Sequence, residues 1–304
     1  MDYRQPITAM ILICVFFLSQ IAGAGAWVQK KGGYFFKLSG SYLSTRKEFN
    51  NVGEKVDLFR DLEVYTNAQF QDLAGNIYLE YGITRRWTGI LNLPFKLSKT
   101  KRTENSIYFG NRFVKRTTGG PADLSLFSRY ALLTGPWAVS LQGGIGIPLG
   151  YDKTPDNDGP TLGTGELSGE LNLLIGKSLY PLPLYVTGGG GYRLRGGRFK
   201  NEILMNAEVG LTIKSLLFKV TFDGVKSTVT PPDLYGRPLV LPLPGGGGAF
   251  PQLLFGNQDI YKLNPGIIYH FRKRMAIEVE TISIISGKDT ISGTSFSLGI
   301  IFNK

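Results

Sequence analysis

From Tyr34 to Phe302 the side chains change character at nearly every second residue. In "YFFKLSGSYLS", Tyr34, Phe36, Leu38, Gly40 and Tyr42 share one face, and Phe35, Lys37, Ser39 and Ser41 share the other. A period of two belongs to strands, not helices. The pattern returns about twelve times, in segments long enough for the ~9–11 residues that cross a bilayer at a tilt. Beyond the first two dozen residues, no stretch is long and apolar enough to be a helical span. Two architectures remain: a soluble sandwich with its apolar face inside, or a closed barrel with its apolar face in lipid.

The distribution of residues selects the barrel. One face is rich in Leu, aromatic residues and Gly on nearly every strand, and the strands are arranged as hairpins. Links alternate in length. "TRRW", "TGPW", "YPLP", "KSL" and "FRKRM" are short, whereas 45–67, 98–118, 150–163 and 226–258 are long and 287–290 is intermediate. Short turns on one side and long loops on the other belong to outer-membrane barrels. Trp87, Trp137 and Tyr180 fall beside the short turns, where an interfacial girdle belongs. The expected fold is therefore all-β, an up-and-down antiparallel transmembrane β-barrel of about 12 strands, with the short turns periplasmic and the long loops outward.

The chain opens with "ITAMILICVFFLS", an apolar run of signal-peptide length, followed by the small residues Ala22 to Ala26. Residues 1–26 are expected to be a signal peptide that is removed, leaving 27–304 as the barrel. Cys14, the one cysteine, lies in the signal, and Ile13 before it is too bulky for a lipoprotein site. The mature chain then has no disulfide, thiolate metal site or cysteine nucleophile. The net charge of +11 comes without a basic cluster interleaved with aromatics, so nucleic acid is not an expected partner. Lipopolysaccharide phosphates are. Arg46, Lys47, Lys99, Lys101, Arg102, Lys115 and Arg116 flank the outer strand ends that would meet them.

The segments "GPADLSLFSRYALLTGPWAVSLQGGIGIPLGY", "LGTGELSGELNLLIGKSL" and "YKLNPGIIYHFRKRMAIEVETISIISGKDTISGTSFSLGIIF" resemble an outer-membrane family named for the MetA pathway of phenol degradation. The resemblance spans most of 119–302 and, loosely, "YGITRRWTGILNLPF". It implies a transporter-like barrel. The chain departs from the family where "IPLG" replaces a Lys-Leu-Pro-Thr-Gly-like end and where "GPADLSL" splits the usual Gly-Asp-Leu. Such motifs specify hairpins better than ligands, so a phenol substrate does not carry over.

The polar faces hold both signs of charge: Lys37, Lys96, Arg129, Arg193, Arg195, Lys219 and Lys262 against Glu80, Asp123, Glu170, Glu208, Asp223, Glu278 and Glu280. Inside a wall these must pair or meet water. They are expected either to form a lattice that stiffens the lumen or, at Arg129, Arg193 and Arg195 above all, to set the charge preference of a pore. His270, the one histidine, lies beside a short turn and lacks a recognisable serine partner, so a structural role is expected and no enzyme. No metal or other cofactor is expected. Asp152, Asp156, Asn157 and Asp158 lack the calcium-loop spacing and are read as a solvated turn.

The loop 226–258 combines Pro238, Pro242, Pro244 and Pro251 with Gly245 to Gly248, which rules out helix and ladder. Leu239, Val240, Leu241, Leu243, Phe250, Leu253, Leu254 and Phe255 are too many apolar side chains for free display. They are expected to form an outer apolar surface that contacts a ligand. The expected function is passive passage of small molecules, hydrophobic or aromatic ones included, across the cell outer membrane. The rival is a non-transporting barrel that binds a partner or aids surface-polymer export. Oligomeric state, solute and an open or plugged lumen stay undecided at this level.

Overall fold

The computed structural model describes residues 25–60, 65–106, 110–151, 159–197, 199–228 and 257–304. The strands are β1 (Tyr34–Thr45), β2 (Lys47–Phe49), β3 (Lys55–Asp57), β4 (Tyr65–Gly82), β5 (Trp87–Ser106), β6 (Gly110–Pro121), β7 (Asp123–Leu133) and β8 (Trp137–Pro148). They continue as β9 (Ser168–Ser178), β10 (Leu184–Arg195), β11 (Glu202–Ile213), β12 (Leu216–Ser227), β13 (Asp259–Arg272), β14 (Met275–Lys288), β15 (Thr290–Ser292) and β16 (Thr294–Asn303). No helix occurs among the described residues.

Every main pairing is antiparallel, and nearly all join strands consecutive in the wall. The exception closes the ring: β1 pairs with β16, with Phe36 opposite Phe302 and Lys37 opposite Ile301. The β4–β5 pairing completes the circle. β6 and β7 are two pieces of one wall strand, both paired with β5, so the ring is a closed 12-strand barrel. The break has a chemical cause. Pro94 and Pro121 offer no amide donor, and the Ala122 amide donates to the Pro94 carbonyl at 2.9 Å instead of continuing the ladder.

Closure leaves the apolar face outside. Leu38, Leu73, Phe95, Leu171, Ile203, Val279 and Phe296 are all exposed, and comparable residues ring the wall. An apolar band of this extent is unsuited to water and suited to lipid. A sandwich would have buried it. Glu80, Thr88, Arg129, Ser140 and Asn172 take the opposite face and are buried in the interior.

Two of the expected polar loops are ordered strand. The stretch expected as a loop at 98–118 is the tall β5–β6 hairpin, with Lys99 opposite Thr117 and Lys101 opposite Lys115. Together with the upper part of β4 it stands as a three-strand tongue. The reason is that β-branched Thr100, Thr103, Thr117 and Thr118 favour pleated backbone despite their polarity. Residues 45–67 contain β2 and β3, which join β15 in a small sheet of their own. Leu43, Leu58, Phe59, Ala68 and Phe70 form a buried cluster beneath it. Residues 1–24 of the expected signal 1–26, the acidic turn at 152–158 and most of the loop 226–258 lie outside the described residues.

Candidate functional site

The interior is organised in two tiers. The lower one, near the short turns, is built on residues three to five positions in from the ends of their strands: Lys37 on β1, Glu80 on β4, Arg129 on β7, Lys219 on β12 and Glu278 on β14. Antiparallel register sets these positions at one height, so their side chains meet.

One side of this floor centres on Glu80, whose side chain has no exposed surface. Arg129 Nη1 lies 3.2 Å from Glu80 Oε1. Tyr78 donates to the same oxygen at 2.6 Å, and Gln29 Nε2 donates to Oε2 at 2.7 Å. Arg129 Nε donates to Gln142 Oε1 at 2.9 Å. The carboxylate is thus paired and hydrogen-bonded at both oxygens, the condition under which a charge persists away from water. The other side spans five adjacent wall strands. Glu278 is held by Lys37 and, at 2.7 Å, by Lys219, which also reaches Glu280 at 3.0 Å. Beside it, Glu208 accepts from Tyr185 and from Thr221, each at 2.7 Å.

Between the two sides runs a segment that the periodicity does not reveal. Residues 26–29 lie inside the barrel against the neighbouring strands β8, β7, β5 and β4. Ser140 donates to the Ala26 carbonyl, and Arg129 Nη1 donates to the Trp27 carbonyl at 2.9 Å. The Gln29 amide donates to Thr88 Oγ1 at 2.8 Å. The Trp27 indole meets Tyr185 edge-on, with ring centroids 5.9 Å apart. Gly176 admits that indole, since a Cβ there would sit 2.8 Å from the ring. Farther along, the carbonyl of Lys30 presses on Gly82, where a Cβ would lie 1.9 Å from it. Glycine is required at that crossing. Ala26 is fully buried.

An apolar patch completes the floor. Phe35, Leu217, Ile268, Ala276 and Ile301 pack together with Tyr78 and Tyr185. By two-residue spacing these positions share the face of Lys37, Lys219, Asn264 and Glu278. The sequence signal is a loss of alternation near the short turns, in "SLLF", "GIIY" and "GIIF", where both faces are apolar because both are covered.

The upper tier is looser. Asp223 lies four residues beyond Lys219 on β12, about 13 Å farther along the strand. Arg193 bridges Glu170 and Glu202, each at 2.8 Å, and Arg195 also reaches Glu202. The Arg193 side chain is one-third exposed. Asn264 Nδ2 donates to Asp223 Oδ2 at 2.8 Å. Lys262 lies opposite Asp223 in the β12–β13 register and within electrostatic reach of Arg193 and of Lys96 on the distant β5. Asp123, at the outward end of β7, accepts from Tyr151. These contacts link Lys37, Glu80, Arg129, Glu170, Arg193, Arg195, Glu208, Lys219, Asp223, Glu278 and Glu280 to partners in the wall. Gln29, Trp27, Tyr78, Tyr185 and Glu202 join them.

Other candidates fare differently. Lys47 pairs with Asp57 at 2.8 Å, and Arg102 pairs with Glu104 at 3.0 Å and stacks 4.8 Å over Tyr65. Two of the seven outer cations are thus engaged within the chain. His270 sits at the end of β13, its amide donating to the Ser215 carbonyl at 2.8 Å. Among the described residues, no group of three or more His, Cys, Asp or Glu could hold a metal ion. Leu239, Val240, Leu241, Leu243, Phe250, Leu253, Leu254 and Phe255 lie outside the described residues.

No family model and no curated protein matches the chain, so the resemblance stated above rests on its quoted segments. Solved structures do match. The COG4313 outer membrane channel from Pseudomonas putida F1 superposes with a TM-score of 0.61 at 11% identity, over 91% of this chain and 97% of that one. The NanC porin gives 0.46 at 11% identity over 88% and 98%, and the Ralstonia pickettii toluene transporter TbuX gives 0.44 at 8% over 94% and 92%. At such identities the first likeness speaks to the fold, which is that of an outer-membrane barrel.

Proposed function

We propose that the protein is an outer-membrane channel through which small molecules diffuse passively. The supporting observation is the two-sided wall: a closed ring, apolar outside, with paired charges lining an interior that is tight at the floor and looser above it. The upper tier serves as a vestibule. Residues 26–29 and the Glu80–Arg129 pair form the narrow section, and Lys96, Arg193 and Lys262 set which charge is tolerated there. The residues ahead of Ala26 serve as an export signal, cut slightly earlier than the expected 1–26 because the buried Ala26 accepts from Ser140 inside the barrel.

The solutes we favour are small and hydrophobic or aromatic, captured by the apolar loop around Leu239–Leu243 and Phe250–Phe255. Lipopolysaccharide phosphates engage the exposed cations of the tongue. Purified protein in planar bilayers should give discrete conductance steps, and a barrel silent under all voltages would overturn the channel reading. Deleting 236–254 should reduce uptake of an apolar solute into proteoliposomes while leaving small-ion conductance intact. The tall cationic tongue supports the rival reading of a docking barrel, which gains if conductance is absent and a surface ligand is held.

A further inference from the structure

One end of the barrel carries a single sign of charge. The short-turn segments 25–33, 83–86, 134–136, 179–183, 214–215, 273–274 and 303–304 contain no Asp or Glu. They and the adjoining strand ends carry Arg85, Arg86, Lys214, Arg272, Lys273 and Arg274, all exposed. The nearest carboxylates, Glu80 and Glu278, point into the lumen and are held by Arg129, Lys37 and Lys219. The opposite end differs: Lys47 faces Asp57, and Arg102 faces Glu104. Arg85, Arg86, Lys214, Arg272 and Arg274 face no carboxylate side chain in these segments, and a ring of cations attracts anions.

The setting identifies them. Ile83 and Trp87 flank Arg85 and Arg86, Ile213 precedes Lys214, and Phe271 precedes Arg272, each an exposed apolar side chain. Lys177 Nζ lies 4.5 Å over the exposed ring of Trp137. Trp87 meets Tyr130 edge-on at 6.4 Å on the outside of the wall. Cations set at the edge of an apolar band, among Trp and Tyr rings, sit at headgroup depth rather than in free solvent. A water-facing ring that attracted acidic proteins or solutes would not need apolar neighbours.

We propose that this rim binds the anionic phospholipid headgroups of the inner leaflet, phosphatidylglycerol-type lipids in chemical class. The proposal rests on the membrane-embedded reading of the barrel and is independent of whether the lumen conducts. Each Lys or Arg near an anionic surface contributes about 1 kcal/mol, which corresponds to about a fivefold preference.

The test uses the full chain in phosphatidylcholine bilayers containing either brominated phosphatidylglycerol or brominated phosphatidylcholine. Quenching of Trp87 and Trp137 reports lipid at the rim, and Trp27 in the lumen supplies a shielded background. Phosphatidylglycerol should quench with at least about fivefold higher relative affinity at 0.1 M salt, and the preference should collapse at 1 M. Replacing Arg85, Arg86, Lys214, Arg272, Lys273 and Arg274 together by Gln should abolish it. R85Q/R86Q alone, with less risk to folding, should halve it or more. Equal quenching by the two lipids, a preference that survives 1 M salt, or an undiminished preference in the folded Gln variants would each overturn the proposal. Quenching by neither lipid would instead sink the membrane reading itself.

Discussion

The lower and upper tiers of the lumen use the same chemistry with different degrees of enclosure. Glu80 has no exposed surface and three partners, Arg129, Gln29 and Tyr78, converge on it, whereas Arg193, bridged by two carboxylates, keeps one-third of its side chain exposed. The difference at Glu80 is the strap 26–29, which packs Gln29 and the Trp27 carbonyl against the Glu80–Arg129 pair and displaces water there. Enclosure converts the lower charges from selectors into structural pins. A buried pair resists loss of one partner far more than a wet one.

That contrast is most exposed by removing one cation from each tier. Arg129→Met leaves Glu80 charged and buried, and should cost about 3–5 kcal/mol in detergent unfolding monitored by heat-dependent gel mobility. Arg193→Met should cost under about 2 kcal/mol, because Arg195 still holds Glu202 and Asn172 still donates to Glu170. Equal losses would erase the distinction between tiers. Adding Glu80→Gln to Arg129→Met should recover part of the stability, since the stranded charge is gone.

Lys219→Met sharpens the comparison within the floor. Glu278 retains Lys37 while Glu280 loses its pairing with Lys219, so an intermediate loss of about 1.5–3 kcal/mol is expected by the same assay. Trp27→Ala removes bulk from the strap without stranding a charge. It should raise single-channel conductance with little change in stability, and an unchanged conductance would place the narrow section elsewhere.

The smallest effect belongs to the outer sheet. A hydrogen bond and the charge of Lys47 hold the Asp57 carboxyl below its ordinary value of 3.8. A lowered value means that the rung contributes above that pH and is lost as the pH falls through the folded value. Limited proteolysis of residues 46–60 should therefore quicken below about pH 4 in the wild type and vary less with pH in Asp57→Asn. The barrel itself should not respond.

Alternation indicated the strands of the barrel wall and which face of each is apolar. A strand has only two sides, and one of them had to tolerate lipid. The sequence could not announce that Lys99 to Thr118 rises as a hairpin, because polar β-branched residues read equally well as loop. Nor could it pair Arg129 with Glu80 across an intervening strand, or bring Gln29 to the same carboxylate. Those contacts depend on stagger and ring closure, which place residues dozens of positions apart at one height. The strap is the extreme case: nothing local in Ala26–Gln29 distinguishes a loose leader from a strap inside the barrel. Only the closed wall, with Ser140, Thr88 and the space at Gly176 facing inward together, supplies the partners that hold it there.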